Sequence, residues 1–202
     1  MRKFGCAVVA TAAAVVMLGG PVVAERAQAQ VSVGAKETIM QVRRALLKLP
    51  YYGVFDFLAF GIEKGTVTLM GYAYHGDLKN EAEDMVKRVS GVDEVANKIE
   101  LLPTSQIDDE IRWATFIRIY TDDFLSRYSP GGPMSARYEV LNMIRFPGMQ
   151  PFGTYPIHII VKNRQVTLVG VVDNDGDKTL AGFRAREVPS TAGVTNELMI
   201  GK

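Results

Sequence analysis

The apolar residues of this chain fall into helical and strand periods that recur in the same order twice. Between residues 37 and 49, Ile39, Val42, Leu46 and Leu49 return every three or four positions, which predicts an amphipathic helix that Pro50 ends. Val54 to Ile62 and Thr66 to Tyr74 are rich in β-branched and aromatic residues, and Glu63-Lys64-Gly65 between them predicts a hairpin turn. Ala82, Met85, Val86 and Val89 predict a second helix, with Asp77 as its cap and Ser90-Gly91 as its stop. Glu94 to Leu102 alternates as a last strand. The order is helix, strand, strand, helix, strand.

The second half repeats it. Val67-Thr68-Leu69-Met70-Gly71 overlies Val166-Thr167-Leu168-Val169-Gly170 at an offset of 99 residues, and the same offset pairs Ala82 with Ala181, Val95 with Val194, Asn97 with Asn196 and Ile99 with Leu198. Two copies of one supersecondary unit follow from this self-similarity. A long helix over 107–128 opens the second copy, with Ile111, Trp113, Ile117, Tyr120 and Phe124 as its apolar residues. Strands follow at 155–163 and 165–173 around Asn163-Arg164, then a helix from Asp175 or Asp177 and a strand over 193–200. An insertion near 129–152 holds the turn Ser129-Pro130-Gly131-Gly132-Pro133 and an extra helix, Met134 to Arg145, expected to face Tyr138, Leu141 and Ile144 inward. The predicted fold class is α+β: two tandem modules, each a small three-stranded sheet packed by helices. The modules occupy 30–103 and 104–202. A unit of about sixty-five residues buries only ~60% of its unfolded surface, so the two are expected to touch.

The residues Gly65-Thr66-Val67-Thr68-Leu69-Met70-Gly71, Val89-Ser90-Gly91-Val92 and Val95-Ala96-Asn97-Lys98-Ile99 resemble the BON family, the bacterial osmotically-inducible and nodulation domain. The second copy matches it at Val166 to Gly170 and at Val194-Thr195-Asn196, but Arg164 replaces the turn glycine and Ser190-Thr191 replaces Gly-Val. The motif is structural. Gly71 and Gly170 are expected where the backbone bends or approaches another strand closely, and Asn97 and Asn196 where a side chain bonds local backbone. The resemblance implies an exported, non-enzymatic envelope protein that binds phospholipid surfaces or other envelope components.

The N-terminus agrees with export. Arg2 and Lys3 precede an uncharged run from Cys6 to Gly19, and Ala27-Gln28-Ala29 fits a small-x-small cleavage site, so residues 1–29 read as a signal peptide. An uncleaved anchor is the alternative. Localisation is then periplasmic or secreted. Removing 1–29 takes the lone cysteine, three bases and one acid, leaving a net charge of −1. That leaves no disulfide, thiolate metal site or cysteine nucleophile, and no basic excess to draw in nucleic acid.

Catalytic chemistry has no candidate residues, and no metal or other cofactor is expected. His75 and His158 read as a loop and a sheet residue. Asp173-Asn174-Asp175-Gly176-Asp177 fails the calcium-loop pattern, because glycine falls fourth and Arg184 stands twelfth. Binding has two candidates. The aromatics Tyr51, Tyr52, Phe55, Phe57 and Phe60 read as a strand covered on both faces, with self-association or a protein partner as the alternative use. The long helix mixes aromatic and basic residues, and Arg112, Trp113, Phe116, Arg118, Phe124 and Arg127 are the candidate surface for an anionic phospholipid membrane or an envelope protein. Asp108, Asp109, Asp122 and Asp123 oppose the lipid use.

Overall fold

In a computed structural model, residues 34, 36–145 and 149–201 are described; the signal-peptide reading falls outside them. Helix α1 runs through residues 37–47. Strands β1 (Phe57–Glu63) and β2 (Thr66–Ala73), helix α2 (Gly76–Lys87) and strand β3 (Glu94–Leu101) complete the first module. The second has α3 (Gln106–Tyr120), a short 3-10 turn (Leu125–Tyr128), α4 (Pro133–Arg145), β4 (Ile157–Lys162), β5 (Gln165–Val172), α5 (Asp175–Arg186) and β6 (Gly193–Ile200). Each module is a mixed three-stranded sheet packed by helices, in the order β1-β2-β3 and β4-β5-β6.

The first two strands of each sheet are an antiparallel hairpin; the last two are parallel and joined through a helix, as parallel neighbours require. Both hairpins turn through two left-handed residues, Lys64-Gly65 and Asn163-Arg164. A non-glycine residue held there costs roughly 1–2 kcal/mol. In the second turn, the buried Asp108 carboxylate offsets that cost by accepting from Asn163 N and Arg164 N at 2.9 and 2.8 Å. Gly91 and its counterpart Ser190 are both left-handed.

The 99-residue offset marks the core: Val67, Leu69, Ala82 and Ile99 are buried, and so are Val166, Leu168, Ala181 and Leu198. The motif glycines answer to one contact. A Cβ on Gly71 would stand 2.0 Å from Phe57 O, and one on Gly170 2.0 Å from Pro156 O. The motif asparagines reach further than local backbone. Asn97 Nδ2 donates to Lys79 O in α2 at 2.8 Å while its Oδ1 accepts from Ile99 N; Asn196 does the same to Lys178 O and from Leu198 N. Each ties the crossover helix to the strand that follows it.

Four expectations are corrected. The first strand begins at Phe57 rather than Val54, because residues 53–56 form a turn that packs on the second module. Asp77 lies in the first turn of α2, whose cap position is His75 with no side-chain hydrogen bond. The long helix stops at Tyr120, because Asp122 Oδ1 accepts from Phe124 N and Leu125 N and draws the chain into a separate turn. Helix α4 packs through Ala136 and leaves Tyr138, Leu141 and Ile144 exposed.

Candidate functional site

The outer edge of the second sheet is closed by groups from distant parts of the chain. In β4, Ile157, Ile159 and Val161 form the non-hydrogen-bonded pairs with β5, so their N–H and C=O groups point away from the sheet. Tyr120 Oη donates to Ile157 O at 2.5 Å and accepts from Ile157 N at 3.2 Å. Ile159 N donates to Val54 O at 2.9 Å, and Arg112 Nη2 donates to Val161 O at 2.7 Å. Five consecutive residues of β4 are buried as a result.

The Val54 contact belongs to a wider junction. Val54 and Phe55 are fully buried within the second module's core, with the Phe55 ring 5.4 Å from Trp113. Gln150 accepts from Phe55 N and donates to the buried Asp56, whose carboxylate also accepts from Gly53 N and Tyr74 N. Burial pushes the Asp56 carboxyl up, against these donors. His158 lies 3.3 Å from Tyr52 Oη, and burial pushes its imidazole down to about 4. The segment is thus used inside the chain, and Val54 and Phe55 are not available for self-association.

This arrangement divides the six surface candidates on and after α3. Arg112 and Phe116 are buried, and neither is a surface residue. Arg112 is drawn inward by Val161 O, pairs with Asp109 and lies over the Tyr74 ring; Phe116 packs between Trp113 and Tyr120. Trp113 is half-buried beside a groove of about 470 Å³ that Asp109 and Glu110 also line, an acidic rim that repels anionic lipid. Arg118 faces Glu187 at 3.7 Å, and Arg127 is held by Asp177 and Asp173. Phe124 is 66% exposed, and Arg118 and Arg127 are exposed within these ion pairs. The six residues do not make one basic, apolar face.

Helix α4 makes such a face. Met134, Tyr138, Leu141 and Ile144 are 63%, 64%, 56% and 68% exposed, at a spacing of four, three and three residues that keeps them on one side. Arg137 and Arg145 are exposed, and at 100° per residue they fall within the same stripe. Glu139, the helix's one acid, falls on the opposite flank, where it lines a cavity with Trp113 and Asn142. The signal for this face was available: α4 has apolar residues on two sides, more than one buried stripe needs.

Among the described residues, no group of three His, Cys, Asp or Glu side chains could hold a metal ion, and no helix is long and apolar enough to cross a membrane. Asp173 to Asp177 form the strand-to-helix turn, with Asn174 capping α5 by accepting from Asp177 N.

No curated protein matches the chain. Solved structures that align with it include CdsD, a structural protein of the type III secretion system of Chlamydia trachomatis, at 13% identity and a TM-score of 0.27 over 82% of this chain and 94% of that one. The C-terminal domain of CdsD aligns at 12% identity and a TM-score of 0.25 over 81% of this chain and 97% of that one. Scores this low carry no argument. The BON domain family model matches residues 40–103 and 146–202, more than half of the chain and one match in each module. Structural glycines and helix-tying asparagines thus recur in a scaffold built twice, and the chain is a tandem member of the BON domain family.

Proposed function

We propose that this protein is an exported envelope module that docks reversibly on anionic phospholipid surfaces through the outward face of α4. The observation that carries the reading is the stripe Met134, Tyr138, Leu141 and Ile144, exposed over three turns with Arg137 and Arg145 among them. Apolar side chains enter the acyl boundary of a bilayer while guanidinium groups stay on headgroup phosphates. Each arginine near an anionic surface contributes about 1 kcal/mol. Each half-inserted apolar side chain contributes on the order of 1 kcal/mol, about half of a full burial. The cost of immobilising the protein offsets much of that sum, which makes the docking weak and reversible. Export rests on the three-part N-terminus, and it places the protein in the periplasm or outside the cell.

The test is co-sedimentation of the protein lacking residues 1–29 with phosphatidylglycerol-rich and phosphatidylcholine vesicles, at low and high salt. Binding to the anionic vesicles that weakens with salt is expected. Leu141→Asp with Ile144→Asp should reduce it at least tenfold. Unchanged binding by that double variant would remove α4 from the reading. Failure to bind any vesicle would leave a protein partner in the envelope as the function.

A further inference from the structure

The two modules share a register but not the treatment of their outer edge. Phe60 and Ile62 occupy in β1 the places of Ile159 and Val161 in β4, at the same 99-residue offset and in the same kind of pair with the second strand. Their N–H and C=O groups therefore point away from the sheet. In β4 the equivalent groups meet Val54 O and the Arg112 guanidinium, but among the described residues nothing outside the sheet bonds to Phe60 or Ile62. None of β1 is fully buried. Beside this edge lies a cavity of about 260 Å³ between α1 and β1, lined by Leu46, Leu47, Tyr52, Leu58 and Phe60, with Arg43 as its one charged residue.

The second module shows what such a site takes. There, a turn of the chain over residues 53–56 lies between the edge of β4 and helix α3: Val54 O accepts from Ile159 N, and the Phe55 ring packs on Trp113. The acid that follows, Asp56, is fully buried. We infer that the open edge of β1 binds a peptide turn of a partner protein, whose backbone carbonyl accepts from Phe60 N while an apolar side chain enters between α1 and β1 and a carboxylate meets Arg43. The backbone hydrogen bond to Phe60 supplies affinity that does not depend on sequence; the cavity and Arg43 select an apolar residue close to an acid.

The probe is a soluble, acetylated peptide with the sequence of residues 51–57, the segment that closes the equivalent edge in this chain. The full protein is titrated with it and followed by backbone NMR and amide hydrogen exchange. Binding is expected to slow exchange at Phe60 at least tenfold and to leave Ala59 and Gly61, which already face β2, unchanged. Phe60→Pro removes the outward N–H without removing a bond of the sheet and should abolish binding. Arg43→Glu, an exposed substitution that leaves the fold intact, should weaken binding at least tenfold. Laurate serves as an apolar anion without a peptide backbone. The inference is overturned if the peptide does not bind, if protection appears on β4 instead, or if laurate binds equally well and Phe60→Pro leaves the peptide's affinity unchanged.

Discussion

Removing one oxygen from Tyr120 tests whether the second module depends on the closure of its sheet edge. The Tyr120 side chain is fully buried, and burial holds its phenol well above the ordinary value, so the hydroxyl remains a donor at any physiological pH. It satisfies both outward groups of Ile157, a residue that is itself fully buried. Tyr120→Phe keeps the ring and its packing on Phe116 and Tyr155, 5.0 and 5.1 Å away, so the cavity contribution is small. What remains is one N–H and one C=O without partners in a dry edge, at about 1–3 kcal/mol for each such group. A loss of roughly 2–6 kcal/mol is expected, or about 4–24 °C in Tm for a chain of this size. Urea denaturation measures it, and the slope m should stay constant because the surface exposed on unfolding is unchanged. Tyr155→Phe is the control: its hydroxyl makes no hydrogen bond among the described residues, so that variant should stay within about 0.5 kcal/mol of the parent. If the two variants cost the same, the Ile157 contacts contribute nothing and the edge-closure argument fails.

Two further outcomes follow from the same packing. The His158 imidazole is lowered from 6.5 to about 4 by burial, so below pH 6.5 the unfolded chain takes a proton that the folded chain refuses. Stability should therefore fall as pH drops from 6.5 towards 4, by up to about 3 kcal/mol, and His158→Leu should abolish that part of the slope; parallel pH profiles for the two proteins would refute it. Gly170→Ala places a Cβ 2.0 Å from Pro156 O at a φ of +134°, so it should cost more than about 3 kcal/mol in a thermal melt. Gly132→Ala, with a φ of +85° and nothing within 4 Å of its Cβ, should cost about 1 kcal/mol, and equal costs would show that the contact with the first strand is not the cause.

Much of the fold was legible because its determinants are local. A period of two with β-branched residues makes β2 and β5, a period near 3.6 makes α2 and α5, and the shared offset places Val67 and Val166 in equivalent cores. Gly71, Gly170, Asn97 and Asn196 stood out as structural for the same reason: each answers to a constraint that every copy of the module must satisfy. Apolar periodicity shows that a stripe is hydrophobic but not what covers it. From the sequence alone, the α4 stripe Tyr138, Leu141 and Ile144 therefore reads as core, and Phe116 as surface.

Charge misleads for a related reason. An arginine in a helix ordinarily belongs to solvent, yet Arg112 is fully buried because Val161 O, 49 residues away in the chain, needs a donor. By itself, then, the sequence determined two modules, their strands and crossover helices, and the residues each core requires. Tertiary structure alone decided which edge is closed and which stays open. The groups that close β4 come from Val54, Arg112 and Tyr120, which no local period connects to Ile157, Ile159 or Val161. Unsatisfied backbone is costly wherever water is excluded, so the packing of α3 and of the Val54 turn against β4 selected those partners.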